Sequence, residues 1–141
     1  MWYNPLMIAI LRSSLHGLLS ANTLILTWTG RKSGKQYSTP VNYVRDGTQL
    51  WVTSTRERTW WRSLRGGAPV TITLAGRDLP ATATAVTEPE DVARGLARYF
   101  EKAPQVARYF HVGLDANGKA VYADCLTAAR ERVVIRIDLK E

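Results

Sequence analysis

The chain has 141 residues and a mass of 15.8 kDa, with 45% hydrophobic and 22% charged residues. That is a length for one domain with a real core, and a composition that excludes global disorder and an integral membrane protein. Nineteen Lys and Arg against twelve Asp and Glu leave a formal charge of +7, which favours anionic partners.

Leu6 to Leu19 is largely apolar, but Arg12, Ser13, Ser14, His16 and Gly17 interrupt it and no basic region precedes it. It is also shorter than the roughly 20 residues that cross a bilayer, so neither a signal peptide nor a membrane span is expected. Plotted at about 100° per residue, its leucines, Met7 and Ile10 cover a wide arc opposite Arg12, Ser13 and His16. An amphipathic helix is expected, either covering the domain core or making a peripheral contact with a membrane surface.

Thr23 to Thr29 is a β-rich run, followed by a turn at Gly30, Ser33 and Gly34 and an extended stretch from Tyr37 to Arg45. Asp46-Gly47 suits a tight hairpin, so Gln49 to Ser54 returns antiparallel. Thr59 to Arg65 reads as a short helix. Val70, Ile72 and Leu74 alternate with threonines, Gly76-Arg77-Asp78 turns the chain, and Leu79 to Val86 is the partner strand.

Thr87 and Glu90 have capping-box spacing with Pro89 in the first turn, and Val92, Leu96, Tyr99 and Phe100 recur at helical intervals up to Lys102. A second helical piece carries Val106, Tyr109 and Phe110, Asp115 to Gly118 is a loop, and Ala120 to Arg130 is expected to be helical. Val133, Ile135, Ile137 and Leu139 alternate as a last strand. Five hairpin-linked strands, inserted helices and a sixth returning strand suit a mainly β, α+β domain spanning residues 1–141, built as a six-stranded antiparallel barrel.

Cys125 is the only cysteine, and His16 and His111 lie far apart, so no intrachain disulfide, metal set or His-based triad is expected. The lone cysteine points to no oxidising compartment, and a cytoplasmic location is expected, with a membrane-peripheral one as the variant the first helix adds. Thr29 to Lys35 fails as a P-loop, because three residues separate Gly30 from Gly34 and Gln36 follows Lys35. What remains is a glycine-punctuated turn with a hydroxyl and three cations, either an anion site or a solvated hairpin tip. From Arg31 to Arg65 eight basic residues face only Asp46 and Glu57, with Trp51, Trp60 and Trp61 interleaved. One face can thus offer cations to an anionic tail and indoles to a flat ring. Nucleic acid is not expected, because no RNP pattern, recognition helix or zinc spacing accompanies these residues.

Thr23 to Gly34 (TLILTWTGRKSG), Ser38-Thr39-Pro40-Val41 and Tyr43-Val44-Arg45-Asp46-Gly47 resemble the signature of the deazaflavin-dependent nitroreductase family, the flavin and deazaflavin split-barrel oxidoreductases. Trp60 to Arg65 and Ala68-Pro69-Val70 continue the resemblance, which covers residues 22–87.

The resemblance implies a split β-barrel that binds coenzyme F420 and uses its reduced form to deliver hydride to a quinone, activated alkene or nitro-type acceptor. It implies tail phosphate contacts from Arg31, Lys32, Ser33, Gly34 and Lys35, with Lys32 foremost. It places Thr39, Pro40 and Val41 beside the deazaflavin ring, Ser54, Thr55 and Arg56 on a phosphate-contacting loop, and Trp60 and Trp61 near the substrate pocket. Two departures stand out: Tyr37 sits where the family's prototype carries a phosphate-binding Arg, and the Thr55 to Thr59 loop is shorter. Tyr43, Tyr99 and Tyr109 are candidates to hydrogen-bond an acceptor or supply a proton, or else core and rim aromatics. The alternatives are an FMN-binding split-barrel oxidoreductase and a non-enzymatic lipid or cofactor carrier. A small-molecule electron acceptor is the expected partner, and a homodimer and a monomer both stay open.

Overall fold

The computed structural model describes residues 23–140, so the expected helix over Leu6 to Leu19 lies outside the described residues. Seven strands form one antiparallel sheet: β1 (Thr23–Thr29), β2 (Gln36–Asn42), β3 (Val44–Asp46), β4 (Gln49–Thr55), β5 (Ala68–Leu74), β6 (Arg77–Val86) and β7 (Arg132–Leu139). Their spatial order is β2-β1-β5-β6-β7-β4-β3. The two edges, β2 and β3, are consecutive in the chain and separated only by Tyr43, so the sheet curls until its edges meet at that residue.

Here the expected count of six strands is corrected. The run from Tyr37 to Arg45 is one extended stretch by composition, but its first half pairs with β1 and its second half with β4. A single straight strand cannot lie on both edges of a curled sheet, so the ladder breaks at Tyr43.

The period-2 pattern of the strands sorts side chains into two cores. Leu50 and Val52 of β4, Ile72 of β5 and Val133, Ile135 and Ile137 of β7 fill the barrel interior with Trp28, Trp60, Trp61 and Leu64. Trp51 and Val134 face the other way, against Val92, Leu96 and Phe100 of α1 (Pro89–Lys102). Gly95 of α1 lets helix and sheet approach closely, because a Cβ there would meet Val134 at 3.2 Å and Trp51 at 3.5 Å.

Several boundaries differ from expectation for local reasons. Pro89 occupies the first helical turn and holds Glu88 extended, so Glu88 is the N-cap and the Thr87–Glu90 capping box does not form. The β5–β6 turn is Ala75-Gly76, both with positive φ, which starts β6 at Arg77 instead of Leu79. Gly47 takes the positive φ expected of it in the β3–β4 hairpin. Trp60–Leu64 and Pro104–Phe110 are 3₁₀ helices, and the helix after the loop is only α2 (Tyr122–Ala128), because Ala120 forms a bridge with Leu114. Among the described residues no helix is long and apolar enough to cross a membrane.

Candidate functional site

The β1–β2 connection is a tight loop. Gly30 N–H donates to the Lys35 carbonyl at 2.8 Å, Gly34 N–H to the Gly30 carbonyl at 2.9 Å, and Lys35 N–H to Ser33 Oγ at 3.2 Å. The backbone N–H groups of Arg31, Lys32 and Ser33 have no partner among the described residues and sit at the tip as successive donors. Arg31 turns its guanidinium across to the Arg65 carbonyl, at the end of the first 3₁₀ helix. Between loop and helix lies a cleft of about 630 Å³, lined by Arg31, Lys32, Arg62 and Arg65 with Ser33, Trp28, Tyr37 and Trp60. Among the described residues no carboxylate lines this tip cleft.

Tyr37 stacks on Trp28, centroids 5.9 Å apart, and Trp28 meets Trp60 at 5.6 Å. The Tyr37 ring also covers Gly30, where a Cβ would come within 2.8 Å of it. Gly30 therefore lets the Tyr37 ring lie where it does, and a side chain there would push the ring aside.

A second cleft, of about 640 Å³, opens on the other side of Trp60. Thr39, Pro40 and Val41 of β2 and Ser54 and Thr55 of β4 form its floor, and Tyr99 of α1 with Val106, Tyr109 and Phe110 of the second 3₁₀ helix form its far wall. Arg58 and Arg132 complete this insertion cleft, again without a carboxylate among the described residues. Trp60 is the partition between the two spaces, and its Nε1 donates to Ser54 Oγ at 3.1 Å. Thr55 Oγ1 is buried and has no hydrogen-bond partner among the described residues.

Most of the residues expected at the site fall on these two clefts: Arg31, Lys32 and Ser33 on the first, Thr39, Pro40, Val41, Ser54, Thr55, Tyr99 and Tyr109 on the second, and Trp60 on both. Gly34 and Lys35 are exposed and line neither cleft. Trp61 is buried in the barrel core with its Nε1 on the Thr55 carbonyl at 3.2 Å, and Arg62 and Arg65 lie over its ring. Arg56 lines neither cleft: its guanidinium donates to the carbonyls of Ala129 and Thr87 and ties β4 to both ends of the helical insertion.

Tyr43, at the seam of the sheet, packs on the barrel core outside both clefts, and burial raises its hydroxyl pKa although Arg45 pulls the other way. Burial also raises the Tyr99 hydroxyl above its ordinary value, so it stays protonated near neutrality. Tyr109 is largely exposed and accepts from Arg108 at 2.9 Å. Sequence reasoning did not single out Arg58, Arg62, Arg65 and Arg132 as site residues. The basic run pointed at the first three, whereas nothing local to Arg132 places it opposite Thr55.

A family model for F420H(2)-dependent quinone reductase matches residues 13–114. No curated protein sequence matches the chain. Among solved structures, the chain is similar to a domain-swapped dimer at 19% identity and TM-score 0.57, over 93% of this chain and 91% of that one. It is similar to the general stress FMN/FAD binding protein of Xanthomonas citri at 16% identity and TM-score 0.55, over 96% and 84%. It is also similar to an F420-H2 dependent reductase at 19% identity and TM-score 0.52, over 83% and 94%. At such identities the likeness is one of fold.

Proposed function

Because the chain belongs to the F420H(2)-dependent quinone reductase family, a family of F420-dependent reductases, we propose that it reduces a quinone, activated alkene or nitro-type acceptor held in the insertion cleft. The observation that carries this reading is the pair of clefts parted by Trp60, one ringed with cations and the other floored by uncharged strand residues under an aromatic wall.

The residues present fit coenzyme F420. Lys32, Arg31 and the three loop N–H groups that have no partner among the described residues suit the anionic tail, which they would hold by charge-assisted hydrogen bonds. Thr39, Pro40 and Val41 offer a flat, uncharged floor for the deazaflavin ring, and Thr55 Oγ1 is a buried donor in want of a partner at that floor. When bound and reduced, the cofactor supplies a hydride.

The protein's part is binding, alignment and a proton. Trp60, Val106 and Phe110 wall the cleft and limit water. Reduction of a quinone by hydride needs one further proton to give the hydroquinone. The Tyr99 hydroxyl, protonated near neutrality, and the Tyr109 hydroxyl both line the cleft in which the acceptor oxygen would gain charge.

Titration of the apo-protein with F420 and with FMN, followed through tryptophan emission, tests the cofactor fit. Oxidation of the bound reduced F420 by a quinone panel tests the reaction. Tight F420 binding with quinone-dependent oxidation is expected. Binding of FMN alone would replace this reading with that of a flavin enzyme, and binding of neither would remove the enzyme reading.

A further inference from the structure

Resting on that reading of the insertion cleft, we propose that the cleft selects a planar acceptor bearing a carboxylate, and that Arg132 is the residue that recognises the charge.

Arg132 opens β7, opposite Thr55 in the ladder, so its side chain starts at the cleft floor. Its guanidinium is held over the Phe110 ring, 4.4 Å from the centroid, which fixes it against the aromatic wall where a planar acceptor would lie. Among the described residues it makes no hydrogen bond or ion pair, and none of those that line the cleft is Asp or Glu. Residues 1–22 contain no Asp or Glu either, so that segment brings no carboxylate to neutralise it. A half-buried arginine whose guanidinium has no hydrogen-bond partner among the described residues, set on an aromatic ring, suits a carboxylate carried on a ring.

Arg56 shows what an arginine with a structural task looks like in this fold, with three hydrogen bonds to backbone carbonyls. Arg132 has no such bonds. Arg58 lines the same cleft but is exposed, on the short loop that leads to Trp60 and the tip cleft. Of the two, Arg132 is the one held on the aromatic wall, over Phe110.

The test compares a naphthoquinone carboxylate with its methyl ester, a neutral analogue of nearly the same shape. Calorimetry on the apo-protein gives both affinities, and steady-state turnover with F420H2 gives kcat/KM for both. The acid is expected to bind at least tenfold tighter than the ester and to be preferred by a similar factor in kcat/KM. Arg132→Gln should remove that preference, and Arg132→Lys, which keeps the charge, should retain most of it. Equal binding of acid and ester by the wild type would overturn the proposal, as would an Arg132→Gln variant whose preference persists. Loss of the preference in Arg31→Ala with Arg132→Gln unaffected would place the acid in the tip cleft and overturn the proposal as well. Failure of F420 to bind would sink the reductase reading and leave the calorimetric comparison to decide on Arg132. F420 turnover of both quinones without preference would do the reverse.

Discussion

Trp60 and Ser54 are joined by a hydrogen bond of 3.1 Å, indole Nε1 to hydroxyl, across the short loop between β4 and the first 3₁₀ helix, and both residues are buried. The bond sets the plane of the indole that divides one cleft from the other. Ser54→Ala removes the hydroxyl that accepts from the buried indole N–H, at a cost of about 1–3 kcal/mol. Urea denaturation should show that loss, and the same variant should bind F420 more weakly because the partition is no longer fixed. A variant with wild-type stability and affinity would mean that packing alone holds Trp60.

Lys32→Ala should lower F420 affinity about tenfold or more, the equivalent of a charge-assisted contact worth about 1.5–3 kcal/mol. The slope of affinity against salt should become shallower as well, since one cation fewer meets the anionic tail. An affinity indifferent to Lys32 would identify the loop as a solvated hairpin tip.

Arg56→Ala should behave in the opposite way. Its three bonds to Thr87 and Ala129 carbonyls fasten the helical insertion to the end of β4. Their loss should cost about 2–3 kcal/mol in chemical denaturation, in line with hydrogen bonds to a charged group. A large fall in F420 affinity at unchanged stability would instead give Arg56 the phosphate role that its sequence position suggests.

Gly30→Ala should destabilise by about 1–3 kcal/mol, because its methyl group would press on the Tyr37 ring at 2.8 Å. Combining it with Tyr37→Ala should recover much of that loss, and a double-mutant cycle measures the coupling. Additive effects would show that the clash is absorbed elsewhere.

Alkaline stability should report on Tyr99. Its hydroxyl pKa is raised in the folded protein from an ordinary value of 10.0, so the unfolded chain releases the proton first as pH rises. The stability this group contributes is complete below about pH 10 and declines above it, through the raised folded value. Tyr99→Phe has no proton to release and should flatten the decline in thermal midpoint between neutral and strongly alkaline pH. A decline identical in both proteins would assign it to other groups.

Much of the fold could be read from local pattern because the physics there is local. The Asp46-Gly47 turn and the alternation of Val133, Ile135 and Ile137 depend on neighbours only, and the structure places those three side chains in the barrel core. The break at Tyr43 could not be read, since Tyr37 to Arg45 is one extended stretch by composition and only curvature of the whole sheet divides it. The site shows the same contrast. The loop from Gly30 to Lys35 declared its donors and cations in one short stretch, and the structure opens a cleft there. Arg56 and Arg58 look alike in sequence, and the carbonyls of Ala129 and Thr87 decide between them. Arg132 joins the insertion cleft through a register with Thr55 set between distant strands, which no local pattern encodes.

The strand order also governs when the barrel can assemble. Without β7, the sheet falls into two blocks, β2-β1-β5-β6 and β4-β3, tethered at Tyr43. The blocks are mostly hairpins and can form early, but joining them requires pairs such as Gln49 with Asp138, 89 positions apart. Such closure carries a large entropic cost before any reward and is slow. Until it happens, β4 and β6 each present an unpaired edge, a window in which the chain can associate with itself. The insertion cleft draws its lining from β2, β4 and β7, so it is among the last parts of the molecule to take shape, and slow refolding should appear first as late recovery of ligand binding.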